Sequence, residues 1–244
     1  MIDILLINGW SANADFWIDS VKDLSGQFTV KVIDIDQAKS LDEWLELIDR
    51  SVTSNTLLMG WSLGGNLAIK YASVSEKTFL GLITLQTNPC FIAQELWPNA
   101  LPEAEFIALY NLVKSNDQKA VVRRFTHLLV SGDVQYKADR KKLKMCYMET
   151  ALKESAVLLS GLDLLRDLDV RSALLKVSVP CLHLLGEKDV LVPVGVKADI
   201  SALLRKNNRV DQHHLKALTE MAHLPCWTHW NESLMNIKEF VKTI

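Results

Sequence analysis

The hexapeptide GWSLGG at positions 60–65 restricts the possible folds of this chain more than any other feature of the sequence. It has the form G-x-S-x-G, in which small residues on both sides let the backbone turn sharply and hold the hydroxyl of Ser62 in the open. An apolar run at 57–59 precedes it, and a stretch of helical period at 66–71 follows it. The sequence therefore predicts a strand, a tight turn and a helix, with Ser62 as a nucleophile in the turn.

Apolar runs and helical patterns alternate on both sides of this motif. Strands are predicted at 4–7, 28–35, 56–59, 79–85, 181–185 and 214–218, and helices at 41–50, 67–72 and 232–241. Such alternation is typical of a parallel sheet with helices on both faces. The sequence thus predicts an α/β fold.

The middle of the chain departs from this pattern. From about 101 to 169 the residues have a helical period without a convincing strand, and the segment is rich in cations. Its cations include Arg123, Arg124, Lys137, Arg140, Lys141, Lys142 and Lys144. We predict one α/β core formed by residues 1–98 and 167–244, with a helical insertion at 99–166 that acts as a lid.

A serine nucleophile needs a histidine as general base and a carboxylate that orients the histidine, in the chain order Ser, Asp, His. Asp189 follows the predicted strand at 181–185 and precedes the apolar run VLVP, so we expect the carboxylate there. Asp199 and Asp211 are rivals, but both lie in polar helical or connecting sequence.

The general base is expected in the loop between the last strand and the closing helix, because this loop follows the carboxyl end of the sheet. His223, in the segment MAHLP, occupies that loop. The other histidines fit elsewhere: His183 in a buried strand, His213 and His214 beside a basic exposed segment, His127 in the insertion, and His229 in or near the last helix.

Acyl transfer also requires hydrogen-bond donors for the tetrahedral oxyanion. We expect the backbone N–H of Leu63, which follows the nucleophile, and the backbone N–H of Trp10 in the loop NGWSA at 8–12. Gly9 would let this loop pass close to a substrate.

Composition excludes several classes of protein. The 27 basic and 29 acidic side chains give a formal net charge of −2, so nucleic acid is not expected as a partner. The four cysteines lack the spacing of a redox motif or a zinc site. Hydrolysis by a serine nucleophile implies no metal or organic cofactor. No segment has the length of a membrane span or the pattern of a signal peptide, and we expect a cytoplasmic protein, by default a monomer.

Several segments together resemble one enzyme family. They are NGW at 8–10, GWSLGG at 60–65, RF at 124–125, GLDLL at 161–165, VR at 170–171 and the run at 177–193. On these residues the chain resembles the pimeloyl-acyl-carrier-protein methyl ester esterases of biotin synthesis (BioH), which belong to the α/β-hydrolase superfamily. The resemblance extends over most of the chain, including the predicted lid.

The resemblance implies a serine carboxylesterase that cleaves the methyl ester of a pimeloyl chain on acyl carrier protein and releases methanol. It implies that Arg124, Lys137 and Lys141 receive the acidic carrier and its phosphopantetheine, although lysines on a helix face are as often merely solvated. It further implies that aromatic side chains line a slot for the acyl chain, and the alternative is that they belong to the core. These aromatic residues are Trp10, Trp61 and Phe125.

Two departures from the family pattern bear on these expectations. Asn8 stands where the family usually has histidine, and the antiparallel strands that usually open the sheet are missing, which leaves about six strands. The triad does not decide the substrate, because pocket shape and lid do, so a short-chain carboxylesterase, a lactonase and a thioesterase on the same scaffold stay open as alternatives. A catalytically silent binding protein is a further alternative, although neither the serine turn nor the triad shows damage.

Overall fold

Six parallel strands form the sheet of the computed structural model, which describes residues 1–150 and 153–244. The spatial order is β2-β1-β3-β4-β5-β6, and each described pair of neighbours is parallel. The strands are β1 (Ile2–Ile7), β2 (Phe28–Ile33), β3 (Thr56–Trp61), β4 (Gly81–Leu85), β5 (Cys181–Gly186) and β6 (His213–Leu218). The predicted parallel α/β fold is confirmed.

Burial along the strands follows their position in the sheet. Every residue of β3, β4 and β5 is buried, because helices cover both faces of these inner strands. The edge strands β2 and β6 instead alternate between less and more exposed residues. Several predicted strand boundaries differ by two residues. The strand expected at 28–35 ends at Ile33, since the chain turns at Asp34 into a 3-10 helix at Ile35–Gln37. The strands expected at 4–7 and 79–85 begin at Ile2 and Gly81.

Helices connect the strands, as a parallel sheet requires. They are α1 (Ile18–Leu24), α2 (Leu41–Ser51), α3 (Leu63–Val74), α4 (Glu103–Lys114), α5 (Gln118–Val130), α6 (Tyr136–Thr150), α7 (Ser155–Asp167), α8 (Arg171–Leu174), α9 (Val196–Lys206) and α10 (Trp230–Val241). Helix α3 packs on β1, β3 and β4, while α9 packs on β6 and α10 on β5. In the described ranges, no helix combines the length and apolar character needed to cross a membrane.

The helices α4 to α7 lie between β4 and β5 in the chain. Helix α4 contacts α5 and α7, α5 contacts α6, and α7 reaches back to α3 of the core. The hydrophobic core is continuous from the sheet into these helices: it joins Trp61 of β3 to Phe125 of α5 and Leu162 of α7. The four helices are therefore packed onto the rest of the protein by apolar contacts.

Candidate active site

The three residues predicted to form a triad all follow the carboxyl ends of strands. Ser62 follows β3, Asp189 follows β5 and His223 follows β6. In a parallel sheet these ends meet at one edge, which brings the three loops together. Strand order also reverses between β1 and β3, and the crevice at such a reversal is where open α/β sheets bind ligands.

The turn at Ser62 has the strained geometry of a nucleophile elbow. Ser62 has φ 54° and ψ −119°, a left-handed φ that few non-glycine residues adopt, and it is held by a 2.9 Å hydrogen bond from its N–H to the carbonyl of Leu85. A Cβ at position 64 would lie 2.1 Å from the carbonyl oxygen of Ile7, so only glycine lets α3 start this close to β1. Backbone packing thus requires glycine at position 64 of the predicted turn.

Asp189 and His223 form a buried hydrogen-bonded pair. The distance from Asp189 Oδ2 to His223 Nδ1 is 2.6 Å, and the two side chains are 0% and 2% exposed. The other carboxylate oxygen accepts 2.8 Å hydrogen bonds from the N–H groups of Leu191 and Val192. The carboxylate is therefore fixed from both sides, and its bond to Nδ1 leaves Nε2 as the nitrogen of His223 that can take a proton.

Ser62 and His223 line the same small cavity, whose volume is about 20 Å³. The backbone of His223 is held by two bonds: its N–H donates to the carbonyl of Leu129 at 3.1 Å, and its carbonyl accepts from Trp61 Nε1 at 3.0 Å. Such a volume holds about one water molecule, so the site is closed in this structure.

Of the two expected oxyanion donors, Trp10 lines this cavity, and Leu63 directly follows Ser62, which also lines it. Leu63 is the first residue of α3, and the N–H groups in the first turn of a helix have no partner within it. Over the described chain, neither the Leu63 N–H nor the Trp10 N–H donates a hydrogen bond to another protein atom. The indole of Trp10 donates to the carbonyl of Leu158 at 2.7 Å, which ties its loop to α7. Both backbone N–H groups thus remain available to an oxyanion.

Asn8, the departure from the family pattern, has a packing function in the structure. It is fully buried; its Nδ2 donates to Asp34 at 2.7 Å, and its Oδ1 accepts from Trp17 Nε1 at 2.6 Å. Both ends of the amide are therefore used to fasten the loop after β1 to neighbouring segments.

The three aromatic residues predicted to bind substrate all line the cavity, whereas the three cations do not. Trp10 and Phe125 meet edge to face with ring centroids 4.6 Å apart, and Trp61 also lines the cavity. Arg124 instead forms an ion pair with Glu105 of α4. Lys137 and Lys141 are exposed on α6.

The sequence did not reveal most of the apolar wall of the cavity. Leucines and one phenylalanine complete it, namely Phe91, Leu109, Leu129, Leu162, Leu165 and Leu191. Three of them lie within sequence motifs, two in GLDLL at 161–165 and one in the run after Asp189, but nothing in the sequence distinguishes them from ordinary core residues. The cavity wall is apolar apart from the reacting groups.

One buried cluster in the described residues has side chains that could bind a metal ion: Cys181, His183 and His213. It lies at the amino ends of β5 and β6, away from Ser62. Nδ1 of His183 bonds Thr84 at 2.7 Å, and its Nε2 bonds Nδ1 of His213 at 3.0 Å between nearly coplanar rings. The two rings direct these nitrogens at each other across a hydrogen bond, so we interpret them as a structural pair. His213 was expected next to an exposed basic segment, but its own ring is buried by the pairing of β5 with β6.

This histidine pair predicts a loss of stability in mild acid. Burial, and then the neighbouring His213, lower the pKa of His183 to about 3, and burial followed by Arg209 lowers that of His213 to about 4. The unfolded chain, with pKa values near 6.5, binds more protons below neutrality. We expect the free energy of unfolding to fall by about 3 kcal/mol from pH 7 to pH 5 through this pair.

Urea unfolding at the two pH values measures this effect. His213→Gln removes one buried imidazole and is expected to lose about half of the pH dependence. His214→Gln removes an exposed neighbour and serves as the matched control. An unchanged pH dependence in His213→Gln would contradict the prediction.

No protein-family model matches the chain. A curated pimeloyl-acyl-carrier-protein methyl ester esterase from Yersinia enterocolitica is 33% identical over 204 residues, 80% of this chain and 78% of the relative. A protein of the same name from Edwardsiella ictaluri is 32% identical over 209 residues, 82% of this chain and 80% of the relative.

Among solved structures, a bromoperoxidase from Bacillus anthracis superposes with a TM-score of 0.83 at 18% identity, covering 99% of this chain and 92% of that one. This likeness shows the α/β-hydrolase fold.

Proposed function

This chain belongs to the family of the pimeloyl-acyl-carrier-protein methyl ester esterases, and we propose from that membership and from the geometry of its site that it hydrolyses the methyl ester of a pimeloyl group on acyl carrier protein in biotin synthesis. The observation that carries the proposal is the buried Asp189–His223 hydrogen bond, together with the cavity that His223 shares with Ser62 on its nucleophile elbow. An elbow serine beside an oriented imidazole is the arrangement that acyl transfer needs.

The reaction proceeds through an acyl-enzyme. Ser62 Oγ attacks the ester carbonyl carbon while its proton moves to Nε2 of His223, and Asp189 stabilises the imidazolium. The tetrahedral oxyanion accepts hydrogen bonds from the N–H groups of Leu63 and Trp10. Collapse breaks the C–O bond to the methoxy group, which leaves as methanol with the proton from His223. A water molecule, deprotonated by the same nitrogen, then attacks the acyl-enzyme, releases the carboxylate and restores Ser62.

The proposal assigns the helical insertion at 99–166 the function of a lid. Ser62 is only 8% exposed, and a cavity of about 20 Å³ is far smaller than a pimeloyl chain. Phe125 and Leu162 of the insertion form part of its wall. Substrate entry therefore requires these helices to move away from Ser62.

Cations on the insertion provide the docking surface for the acidic carrier in this proposal. Lys137 and Lys141 are exposed one turn apart on α6 and form no ion pair within the described chain. Arg124 would have to exchange its bond to Glu105 for a phosphate oxygen. Positive charge around a lid steers an acidic partner and raises the rate of encounter. The proposal retains the expectation of a cytoplasmic monomer.

The experiment compares kcat/KM for the carrier-linked pimeloyl methyl ester and for a free methyl ester of the same acid. We expect a preference for the carrier-linked ester of about tenfold or more, which decreases as salt is added. Equal values for the two esters would favour the alternative, an esterase for small free substrates.

Charge reversal of the two lysines tests the docking surface within the same assay. Lys137→Glu/Lys141→Glu is expected to lower kcat/KM for the carrier-linked ester by about tenfold and to leave the free ester unaffected. Lys176→Glu/Lys206→Glu carries the same change of charge at exposed positions outside the insertion. Equal losses in both double variants would contradict the assignment of this surface.

A further inference from the structure

The turn between α5 and α6, residues 131–135, contacts the two loops that carry Asp189 and His223. We call residues 187–193 the acid loop and residues 219–229 the base loop, after Asp189 and His223. Gly132 of the turn has φ +89°, and a Cβ there would lie 3.0 Å from the carbonyl oxygen of Lys188 in the acid loop. The acid loop is bonded in turn to the base loop, because Lys188 N–H donates to the carbonyl of Met221 at 2.9 Å. The insertion thus abuts the catalytic loops directly.

Asp133 in this turn binds the base loop at two points. Its Oδ2 lies 3.0 Å from Nε2 of His229, at the end of the loop, and accepts a longer bond of 3.4 Å from the N–H of Ala222, the residue before His223. Its Oδ1 accepts a 2.8 Å bond from the N–H of Gln135 within its own turn. One carboxylate therefore joins the insertion to both sides of the proposed base.

Burial and opposite charge stabilise the contact between Asp133 and His229. The side chains of Asp133 and His229 are 2% and 10% exposed. Burial alone would raise the pKa of Asp133, but the hydrogen bonds from His229 and Gln135 outweigh it and hold this pKa below its usual value. The bond to Asp133 raises the pKa of His229 against the effect of burial. Each partner thus stabilises the charged form of the other, and removing one leaves the other buried without its counter-charge.

Other residues of the insertion also contact the base loop, but they do not replace the contact made by Asp133. Asp139 of α6 accepts a 2.6 Å hydrogen bond from Thr228, next to His229, but it reaches neither the backbone beside His223 nor the ring of His229 in the described contacts. Leu129 of α5 offers only its carbonyl to the N–H of His223. Trp61 of β3 holds the carbonyl of His223 from the core, so within the described insertion the side-chain contact with the backbone beside His223 is made by Asp133.

We propose that Asp133 is a positioning residue of the reaction, which acts through His229 and the N–H of Ala222 to hold His223 within reach of Ser62. This inference rests on the proposed function, since it takes Ser62 and His223 as the reacting groups. It assigns the insertion a second task besides covering the site: its α5–α6 turn completes the geometry of the base. Misplacement of a catalytic group by about 1 Å is enough to cost about 100-fold in rate, so loss of this contact has a kinetic consequence.

The test uses the full-length protein and a small free ester, so that carrier docking does not enter. Asp133→Ala is expected to lower kcat by about 30-fold with KM within about twofold of the wild type, because the groups that bind substrate stay in place. Asp133→Asn keeps an oxygen for the N–H groups of Ala222 and Gln135 and should lose only about threefold. The rate of labelling by a fluorophosphonate should fall in parallel, because labelling also needs His223 to activate Ser62.

Two further variants separate positioning from stability. Asp117→Ala removes the cap of α5, whose side chain accepts from the N–H of Ala120, and destabilises the insertion without touching the base loop. Its kcat, normalised to folded protein, should stay within about twofold of the wild type. If Asp133→Ala does not fold, Asp133→Asn and His229→Gln carry the same comparison, each with a lower kcat than Asp117→Ala.

The inference is overturned if the Asp133 variants retain kcat within twofold of the wild type, or if Asp117→Ala loses as much kcat as they do. Ser62→Ala, assayed alongside, distinguishes this failure from that of the proposed function. If Ser62→Ala is inactive and the Asp133 variants are fully active, only the assignment of Asp133 as a positioning residue is rejected. Turnover retained in Ser62→Ala rejects the proposed function itself.

Discussion

Asp189→Asn is expected to lower kcat by about four orders of magnitude while leaving the fold intact. In the wild type, Asp189 Oδ2 accepts a hydrogen bond from Nδ1–H of His223 at 2.6 Å, which leaves Nε2 unprotonated. An asparagine amide can turn its NH₂ group toward Nδ1, and the ring then carries its proton on Nε2. A proton on Nε2 prevents His223 from accepting the proton of Ser62, although all heavy atoms keep their places.

Steady-state kinetics with a free ester and thermal unfolding of the same preparation measure this effect. Asp199→Asn is the matched control, because Asp199 was the sequence rival and its carboxylate bonds Asn99 at 3.0 Å rather than a histidine. We expect Asp199→Asn to retain kcat within about twofold. A loss of less than tenfold in Asp189→Asn would contradict the assigned orienting carboxylate.

Gly64→Ala is expected to produce the largest loss of stability at the elbow. The added Cβ would lie 2.1 Å from the carbonyl oxygen of Ile7 and 2.6 Å from that of Asn8. Both contacts are with backbone atoms, so no side-chain rotation relieves them, and α3 must move away from β1. We expect the free energy of unfolding to fall by about 4 kcal/mol, and activity to fall as the N–H of Leu63 is displaced.

Urea unfolding measures the loss. Gly26→Ala, in an exposed turn where an added Cβ meets nothing within 4 Å, makes the same chemical change as a control and should stay within about 1 kcal/mol of the wild type. Equal stability of Gly64→Ala and Gly26→Ala would contradict the close packing of α3 on β1.

The elbow could be predicted because its determinants are adjacent in the chain. The glycines at 60, 64 and 65, the apolar run before them and the helical period after them lie within about fifteen residues. The positions of Asp189 and His223 followed from a second local rule, that a parallel sheet gathers the loops after its strands at one edge. The structure then brings both residues within one hydrogen bond of each other.

Features that depend on contacts between distant segments were not predictable. His213 looked exposed because its neighbours in sequence are polar, yet β5 places His183 beside it and buries both rings. Carrier binding by Arg124 stays a prediction, but its ion pair with Glu105 depends on the packing of α4 on α5, which the sequence does not show. The function inferred for Asp133 could not be predicted, since nothing in its local sequence indicates that its side chain contacts Ala222 and His229 of the base loop. Helical periodicity locates the helices of an insertion, but their mutual packing arises from long-range contacts.

The central claim is that Ser62 is the activated nucleophile, and covalent labelling followed by peptide mapping tests it most directly. The wild-type protein is incubated with a fluorophosphonate, digested and analysed by mass spectrometry, with Asp189→Asn treated in the same way. We expect one phosphonyl group per chain, located on Ser62, and labelling that is slowed by about the same factor as kcat in Asp189→Asn. Labelling of a different serine, or none at all in folded protein, would contradict the assignment of Ser62.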